Sequence, residues 1–413
     1  MILIPIEMST KKSLKNRIYA TIFDRFFGTF LTEISMGNIR RFIAAALALP
    51  VLAGCGGGAA EGFGAMGFRE LTASQLTTEM GAGWSLGNTL DSIHRAGGAP
   101  EQQETAWGNP ITTPEMIRLV ADSGFNTLRI PVTWEPHIGP APGYTVDEAW
   151  LGRVQEIVDY GFAAGLYVII NMHHEAWHFP SYENYDEAAA RMTAVWAQIA
   201  ERFRGYSEKL IFEDLNEPRM TGTPFEWTGG NAEARDVVNR WNADFVKTIR
   251  AGGGHNAGRW LMVPTIAASG DGTALTGFVK PDDDRVIVSI HAYAPYNFAL
   301  NTNAPDDVRF DLADPLHTMD IDALFKRLDM VFLSKGIPVV LGEIGCINKN
   351  NPEARADWAR YYTETAKSYG IPCIWWDNGI SMAYDGGEGF GLMDRRNLEW
   401  WYPEIVEAFI SAF

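Results

Sequence analysis

The run Leu210-Ile211-Phe212-Glu213-Asp214-Leu215-Asn216-Glu217-Pro218-Arg219 starts as a buried strand and ends as a reaction centre. Leu210, Ile211, Phe212 and Leu215 supply the apolar body, and Pro218, with no N–H for a sheet ladder, stops the strand. Glu217 then stands on the rim of the sheet, and Asn216 beside it offers donor and acceptor atoms to a hydroxyl. One carboxylate is not a mechanism. A second apolar run, Pro338-Val339-Val340-Leu341-Gly342-Glu343-Ile344-Gly345, also ends in Glu and is broken by Gly. Two strand-end glutamates on one face form the pair that glycoside hydrolysis requires.

The same pattern repeats on either side. Eight strand-like runs fall at 82–88, 125–130, 166–173, 210–217, 259–265, 286–293, 338–344 and 372–377. Helical signals lie between them. Thr113-Pro114-Glu115 opens a helix with a cap residue and a first-turn proline, and Asp147 to Ala164 carries Leu151, Val154, Ile157, Val158 and Phe162 at helical spacing. Residues 186–203, 232–251, 320–335 and 352–369 read likewise, while the link after the fifth strand is long and poorly helical. This alternation predicts a (β/α)₈ TIM barrel of the α/β class, as a single catalytic domain. A doubly wound sheet is the alternative, but Gly83-Trp84-Ser85-Leu86-Gly87-Asn88 is not the phosphate-binding turn expected after its first strand.

In a barrel, function gathers at the carboxyl ends of the strands. Those ends carry Asn88; Arg129 followed by Trp134; Asn171, His173, His174 and Glu175; Asn216 and Glu217; His291 and Tyr293; Glu343; and Trp375, Trp376, Asp377 and Asn378. A retaining glycosidase needs one carboxyl to protonate the leaving oxygen and another to attack the anomeric carbon, ~5–5.5 Å away. Glu217 suits the acid/base and Glu343 the nucleophile. Arg129 and Tyr293 suit the task of keeping the nucleophile anionic, His291 that of sharing a proton with Glu217, and Trp376 that of stacking on a sugar ring.

Each of these residues also has a structural role open to it. Glu213 shares the face of Glu217 and is expected to pair with Arg129 in the barrel core. His173 and His174 resemble metal ligands, but strand alternation would turn them to opposite faces, so substrate contact is expected, chiefly from His173. Trp84, Trp107 and Trp134 can be rim packing, with Trp134 and Asn88 kept as secondary substrate-binding candidates. Asp214, Asp377 and Asn378 can simply close turns.

The net charge is −17 over 413 residues. Residues 1–55 hold seven Lys and Arg against three Asp and Glu, leaving the remainder at −21. Such acidity excludes a nucleic-acid partner, which needs clustered positive charge, and disfavours anionic polysaccharides; a neutral glycan fits. Three cysteines make no disulfide framework. Cys346 and Cys373 fall at opposite ends of adjacent strands and are expected as free thiols.

Residues 36–55 follow the order of a bacterial lipoprotein signal: Arg40 and Arg41, an apolar run from Phe42 to Leu52, then Leu52-Ala53-Gly54-Cys55, which resembles a lipobox with Cys55 as the lipidated residue. The expectation is an extracytoplasmic protein on the cell envelope, touching the membrane only through this anchor; an ordinary secretory signal is the alternative. Residues 1–35 are expected to be a non-native upstream extension, with Met36 as the start. Residues 56–70 read as a Gly-rich tether and 71–413 as the catalytic barrel. No separate glycan-binding module is evident, and a monomer is expected.

The motifs together resemble glycoside hydrolase family 5, of clan A. They run from Gly83-Trp84-Ser85-Leu86-Gly87-Asn88-Thr89-Leu90-Asp91 and Leu128-Arg129-Ile130-Pro131-Val132-Thr133-Trp134 to Ile170-Asn171-Met172-His173-His174-Glu175 and Phe212-Glu213-Asp214-Leu215-Asn216-Glu217-Pro218. His291-Ala292-Tyr293, Gly342-Glu343 and Trp375-Trp376-Asp377-Asn378-Gly379 complete the set. Trp107-Gly108-Asn109-Pro110 and Val288 to Tyr296 are most similar to subfamily 4. The resemblance implies retention of configuration, no metal and no cofactor. Its functional set falls on Arg129, His173, Asn216, Glu217, His291, Tyr293, Glu343 and Trp376. It also implies endo-β-1,4-glucanase (cellulase) activity on cellulose-type and mixed-linkage glucan, often extending to xyloglucan or xylan. The rivals are a xyloglucanase, xylanase or mannanase on the same scaffold, a non-catalytic surface glycan-binding lipoprotein, and a metal-dependent barrel hydrolase.

Overall fold

The computed structural model describes residues 66–93, 98–382 and 388–413. The upstream extension, the signal segment with Cys55, and the tether up to residue 65 lie outside the described residues. Eight parallel strands close in sequence order into a barrel: β1 (Ala82–Leu86), β2 (Thr127–Ile130), β3 (Tyr167–Met172), β4 (Leu210–Leu215), β5 (Leu261–Ser269), β6 (Val286–His291), β7 (Val339–Ile344) and β8 (Cys373–Asp377). Around them run α1 (Pro114–Asp122), α2 (Glu148–Ala163), α3 (Tyr182–Arg202), α4 (Ala232–Ala251), α5 (Gly272–Thr276), α6 (Pro315–Val331), α7 (Pro352–Ser368) and α8 (Pro403–Ile410). The (β/α)₈ expectation holds strand for strand, and the poorly helical link after β5 contains only the single short α5.

Three of the boundaries that differ from expectation have a clear local reason. β5 runs on to Ser269 because Ala267 and Ala268 take left-handed φ values of 56° and 45° and bulge the strand, shifting its register with β6. The Ala267 N–H then donates to Pro218 O at 2.8 Å, tying β5 to the loop behind Glu217. α3 starts at Tyr182 rather than 186 because the Ser181 hydroxyl caps it, accepting from the Asn184 N–H. α6 starts at Pro315 rather than 320 because Asp314 caps it and the proline occupies its first turn.

Alternation along the strands sorts the side chains into layers. Ile169, Ile211, Met262, Ile287, Val340 and Ile374 cluster inside the barrel with Leu76 and Met80 of the helix Ala73–Met80, which plugs its amino-terminal end. Leu128, Ile130, Val168, Ile170 and Phe212 join the larger core shared with the outer helices. Beside the apolar plug the inward positions turn polar, with Arg129, Asn171, Glu213 and Ser289 all fully buried. Groups buried this completely must be paired, and their pairing builds the site.

Cys346 and Cys373 are free and buried, as expected. Asp377 is more than a turn residue. Fully buried, it accepts the Trp84 indole N–H at 3.0 Å, the Leu392 N–H at 2.8 Å and Arg395 Nη2 at 3.0 Å, which fastens β8 to β1 and the following loop.

Candidate active site

Arg129, on β2, is the centre of the polar layer. Its side chain is fully buried and spends three nitrogens on three partners: Nε to Glu213 Oε2 at 2.7 Å, Nη1 to Glu343 Oε1 at 2.7 Å and Nη2 to Asn216 Oδ1 at 2.8 Å. The expected Arg129–Glu213 pair is therefore present, and the same fork also holds the candidate nucleophile and Asn216. Because Asn216 Oδ1 accepts from Arg129, its amide Nδ2 is left to donate. Burial pushes the Glu213 carboxyl up, but Arg129 and His291 outweigh it and hold the group at about 2. Ser289 Oγ donates to its other oxygen at 2.7 Å.

Glu343 lies on β7, and the Tyr293 hydroxyl donates to its Oε2 at 2.8 Å. Gly342 before it is required by space, since a Cβ there would stand 2.8 Å from Ser289 Oγ and 3.1 Å from His291 Nε2. Glu217 stands just past β4, where His291 Nδ1 lies 2.9 Å from its Oε1. One oxygen of Glu217, one of Glu343 and a ring nitrogen of His291 all lie within 4.8 Å of one another. That spacing belongs with the ~5–5.5 Å of a retaining pair, not the ~6.5–9.5 Å of an inverting one.

Three carboxylates surround His291. Nδ1 stands 3.6 Å from Glu343 Oε2 and Nε2 stands 3.8 Å from Glu213 Oε1, close enough for charge attraction but beyond hydrogen-bond length. Burial pushes the imidazole down, but Glu343, Glu213 and Glu217 together raise it to about 9. Burial pushes Glu217 up, and His291 with Arg219 outweighs it, holding the carboxyl below its ordinary range. His291 and Glu217 are therefore placed to share one proton across this contact.

Trp376 and His173 stack with ring centroids 5.5 Å apart and planes 1° apart. Gly87 makes room for this, since a Cβ there would meet the Trp376 ring at 2.8 Å. Asn171 Oδ1 accepts the Val132 N–H at 3.1 Å, so its Nδ2 faces His173 Nδ1 at 3.1 Å and donates to it. His173 consequently carries its proton on Nε2. Burial holds it neutral, its pKa well below the ordinary value.

Two expectations need correction. His173 and His174 do not face opposite ways: β3 ends at Met172, alternation stops there, and both rings reach the same corner, 4.4 Å apart and edge to face. With Asp91 they bring ligand atoms within 4.8 Å of one another. Even so, a metal-binding imidazole donates through its other nitrogen, whereas His173 Nδ1 accepts, so the second layer is set for a neutral donor. His174 is held neutral as well, pushed by burial to about 4. The second correction is Trp134, which is 1 % exposed and donates its indole N–H to Asn171 O at 2.8 Å. Buried this way, it is placed to brace the floor of the site. Asn88, half-buried at a left-handed φ of 54°, has its N–H bound to Asp91 Oδ2 at 3.0 Å and its carbonyl to Asn109 Nδ2 at 2.8 Å.

Other groups had no assigned role in the sequence. Asn171 sets the His173 tautomer. Glu175, fully buried, accepts the N–H groups of Trp134 and Glu135 and the Trp177 indole at 2.6, 3.0 and 2.9 Å, and burial pushes it up to about 7. Both lie inside the quoted motif around His173, which was the available signal.

A family model for cellulase, glycosyl hydrolase family 5, matches residues 94–381. The chain belongs to glycoside hydrolase family 5. Among family 5 relatives, it is 47% identical to the cellulase/esterase CelE of Acetivibrio thermocellus, over 84% of this chain and 41% of that one. It is 45% identical to endoglucanase A of Clostridium longisporum, over 83% of this chain and 66% of the relative. It thus spans less than two thirds of both relatives. Endoglucanase A of Ruminococcus albus is also 45% identical, with 83% of this chain and 93% of the relative covered. A solved family 5, subfamily 4 broad-specificity endoglucanase from Ruminococcus champanellensis, with bound cellotriose, superposes with a TM-score of 0.80 at 48% identity, covering 84% of this chain and all of that one.

Proposed function

We propose that this family 5 chain is a retaining endo-β-1,4-glucanase acting on cellulose-type and mixed-linkage β-glucans. The observation that carries the reading is the Glu217–Glu343 pair, with oxygens within 4.8 Å and each carboxylate held by different donors. A solved relative named as a broad-specificity endoglucanase holds cellotriose, as does a second subfamily 4 structure, and one named as a lichenase, from Caldicellulosiruptor, holds cellotetraose.

Glu343 attacks the anomeric carbon while Glu217 gives its proton to the departing glycosidic oxygen. Arg129 and Tyr293, at 2.7 and 2.8 Å, hold the attacking carboxylate and fix its direction. The proton reaches Glu217 along the 2.9 Å contact from His291 as substrate displaces water from the cleft. In the second step Glu217 takes a proton from water, the water oxygen bonds to the anomeric carbon, and the bond to Glu343 breaks with its electron pair returning to the carboxylate. Asn216 Nδ2 and His173 Nε2 are the donors offered to sugar hydroxyls, and the Trp376 face is the platform for the ring.

A non-catalytic glycan-binding role is disfavoured because both carboxylates and all their partners are intact. The domain works as a monomer, since every residue of the site comes from one barrel. Cys55 is lipidated and anchors the enzyme, outside the cytoplasm, to the cell envelope, a reading supported by the order Arg40-Arg41, apolar run and Leu52-Ala53-Gly54-Cys55. Mass analysis of the N-terminal peptide tests the anchor, and an unmodified Cys55 in the native protein overturns it.

The activity is tested by incubation with carboxymethyl-cellulose, barley mixed-linkage glucan, xyloglucan, xylan and glucomannan in parallel, with Glu343→Gln as the blank. The expected result is a rapid fall in glucan viscosity with few reducing ends, absent from the blank and unchanged by a chelator. Binding without cleavage of any polymer overturns it.

A further inference from the structure

Arg219 lies two residues beyond Glu217, on the far side of Pro218. Its guanidinium folds back so that Nη1 stands 3.1 Å from Glu217 Oε2, while His291 occupies Oε1. The orientation is built. Nε donates to Glu226 Oε1 at 3.0 Å, and Glu226 Oε2 accepts the Gly222 N–H at 2.8 Å, so the turn that carries Glu226 is itself fastened. The guanidinium carbon stands 4.7 Å from the centroid of the Trp227 ring. A long side chain at a rim gains entropy by staying loose; this one is held by a carboxylate, an aromatic face and the candidate acid/base.

The acid/base of a retaining enzyme must hold a proton in one step and be free of it in the next. The groups facing Glu217 are His291 on β6, Glu343 on β7, Tyr293 and Glu388 past β6 and β8, His174 past β3, and Arg219 and Glu226 on the loop that follows it. Of these, Glu343 loses its charge when it becomes the glycosyl ester, and His291 when it passes its proton to Glu217. Arg219 keeps its charge throughout.

We propose that Arg219 is the positioning residue that sets when Glu217 holds its proton, and that Glu226 and Trp227 fix it in that place. Before attack, the carboxylate of Glu343 opposes ionisation of Glu217 and offsets Arg219. After attack that opposition is gone, and the fixed cation at Oε2 favours the carboxylate that takes the proton from water. The proposal rests on Glu217 being the acid/base.

The full-length enzyme and its R219A, R219K and W227A variants test it, with pH profiles on two substrates. Barley glucan requires protonation of its leaving group. 2,4-Dinitrophenyl β-cellobioside does not, and attack by water then limits turnover. In R219A the alkaline limb of kcat/KM on glucan is expected to move up by about one pH unit, as for loss of an opposite charge at this range. The acidic limb of kcat on the dinitrophenyl glycoside moves the same way, so turnover at low pH falls several-fold. R219K keeps both limbs near their original positions, and W227A, which loosens Arg219 without changing any charge, displaces them in the R219A direction by less. A uniform fall in activity with unmoved limbs, in R219A or in W227A should R219A not fold, overturns the proposal. E217A separates the underlying reading: azide should restore its turnover of the dinitrophenyl glycoside, and no rescue overturns the acid/base assignment itself.

Discussion

His291 holds its Nδ1 2.9 Å from Oε1 of Glu217. The two groups share one proton, and three carboxylates around the imidazole keep it bound up to about pH 9. His291→Phe removes this store. The alkaline limb of kcat/KM should then move down, toward the range of a lone carboxyl, with a loss of roughly 100-fold at neutral pH. Folding responds with a defined sign. The folded pKa lies above the unfolded one of about 6.5, so the stabilisation is complete below that value and is lost as pH rises through about 9. Melting curves of wild type and His291→Phe should therefore converge between pH 6 and 9.5.

Arg129 compensates two carboxylates inside the barrel, Glu213 and Glu343, from a fully buried side chain. Arg129→Ala leaves both without their cation and should cost about 3–5 kcal/mol, measurable by urea denaturation. Arg129→Lys keeps the charge but cannot reach Glu213, Glu343 and Asn216 together. It should recover part of the stability while kcat stays at least roughly 100-fold down.

Glu175 gives the opposite slope from an ordinary acid pair. Burial holds its carboxyl at about 7, above its unfolded value of about 4.5. Its share of stability is therefore complete below the unfolded value and declines as pH rises through about 7. Glu175→Gln has no proton to lose, so its melting temperature should fall less than that of wild type between pH 5 and pH 8. An unchanged difference contradicts the assignment.

Cys346 and Cys373 are buried, and burial pushes both thiols up, Cys346 to about 11. Iodoacetamide at pH 8 should leave both unlabelled in peptide maps of the native protein and label both after denaturation.

The barrel was legible because each strand is buried on both faces and reads as a short apolar run, and its end is marked where polar residues begin. Glu217 and Glu343 could be paired across more than a hundred residues only because both are strand ends. Legibility failed where alternation stops. His173 and His174 lie past β3, so period-two logic sent them apart while the turn brings them together. Trp376 reads as the ring platform and Trp134 as rim packing or a secondary contact. The burial of Trp134 against the Asn171 carbonyl, and the space that Gly87 leaves for the Trp376 ring, are not written in the local sequence. Arg219 was visible beside Glu217, but its direction depends on Glu226 and Trp227, which the turn returns to it.

The proposed double displacement places a covalent bond between Glu343 and the sugar. Incubation with 2,4-dinitrophenyl 2-deoxy-2-fluoro-β-cellobioside, followed by peptide mass mapping, tests it most directly, because the fluorine slows the second step more than the activated leaving group slows the first. The expected result is a burst of one dinitrophenolate per enzyme and a fluorocellobiosyl mass increment on the peptide containing Glu343, with neither in Glu343→Gln. An active enzyme that forms no adduct, or carries it on Glu217, overturns the proposed mechanism.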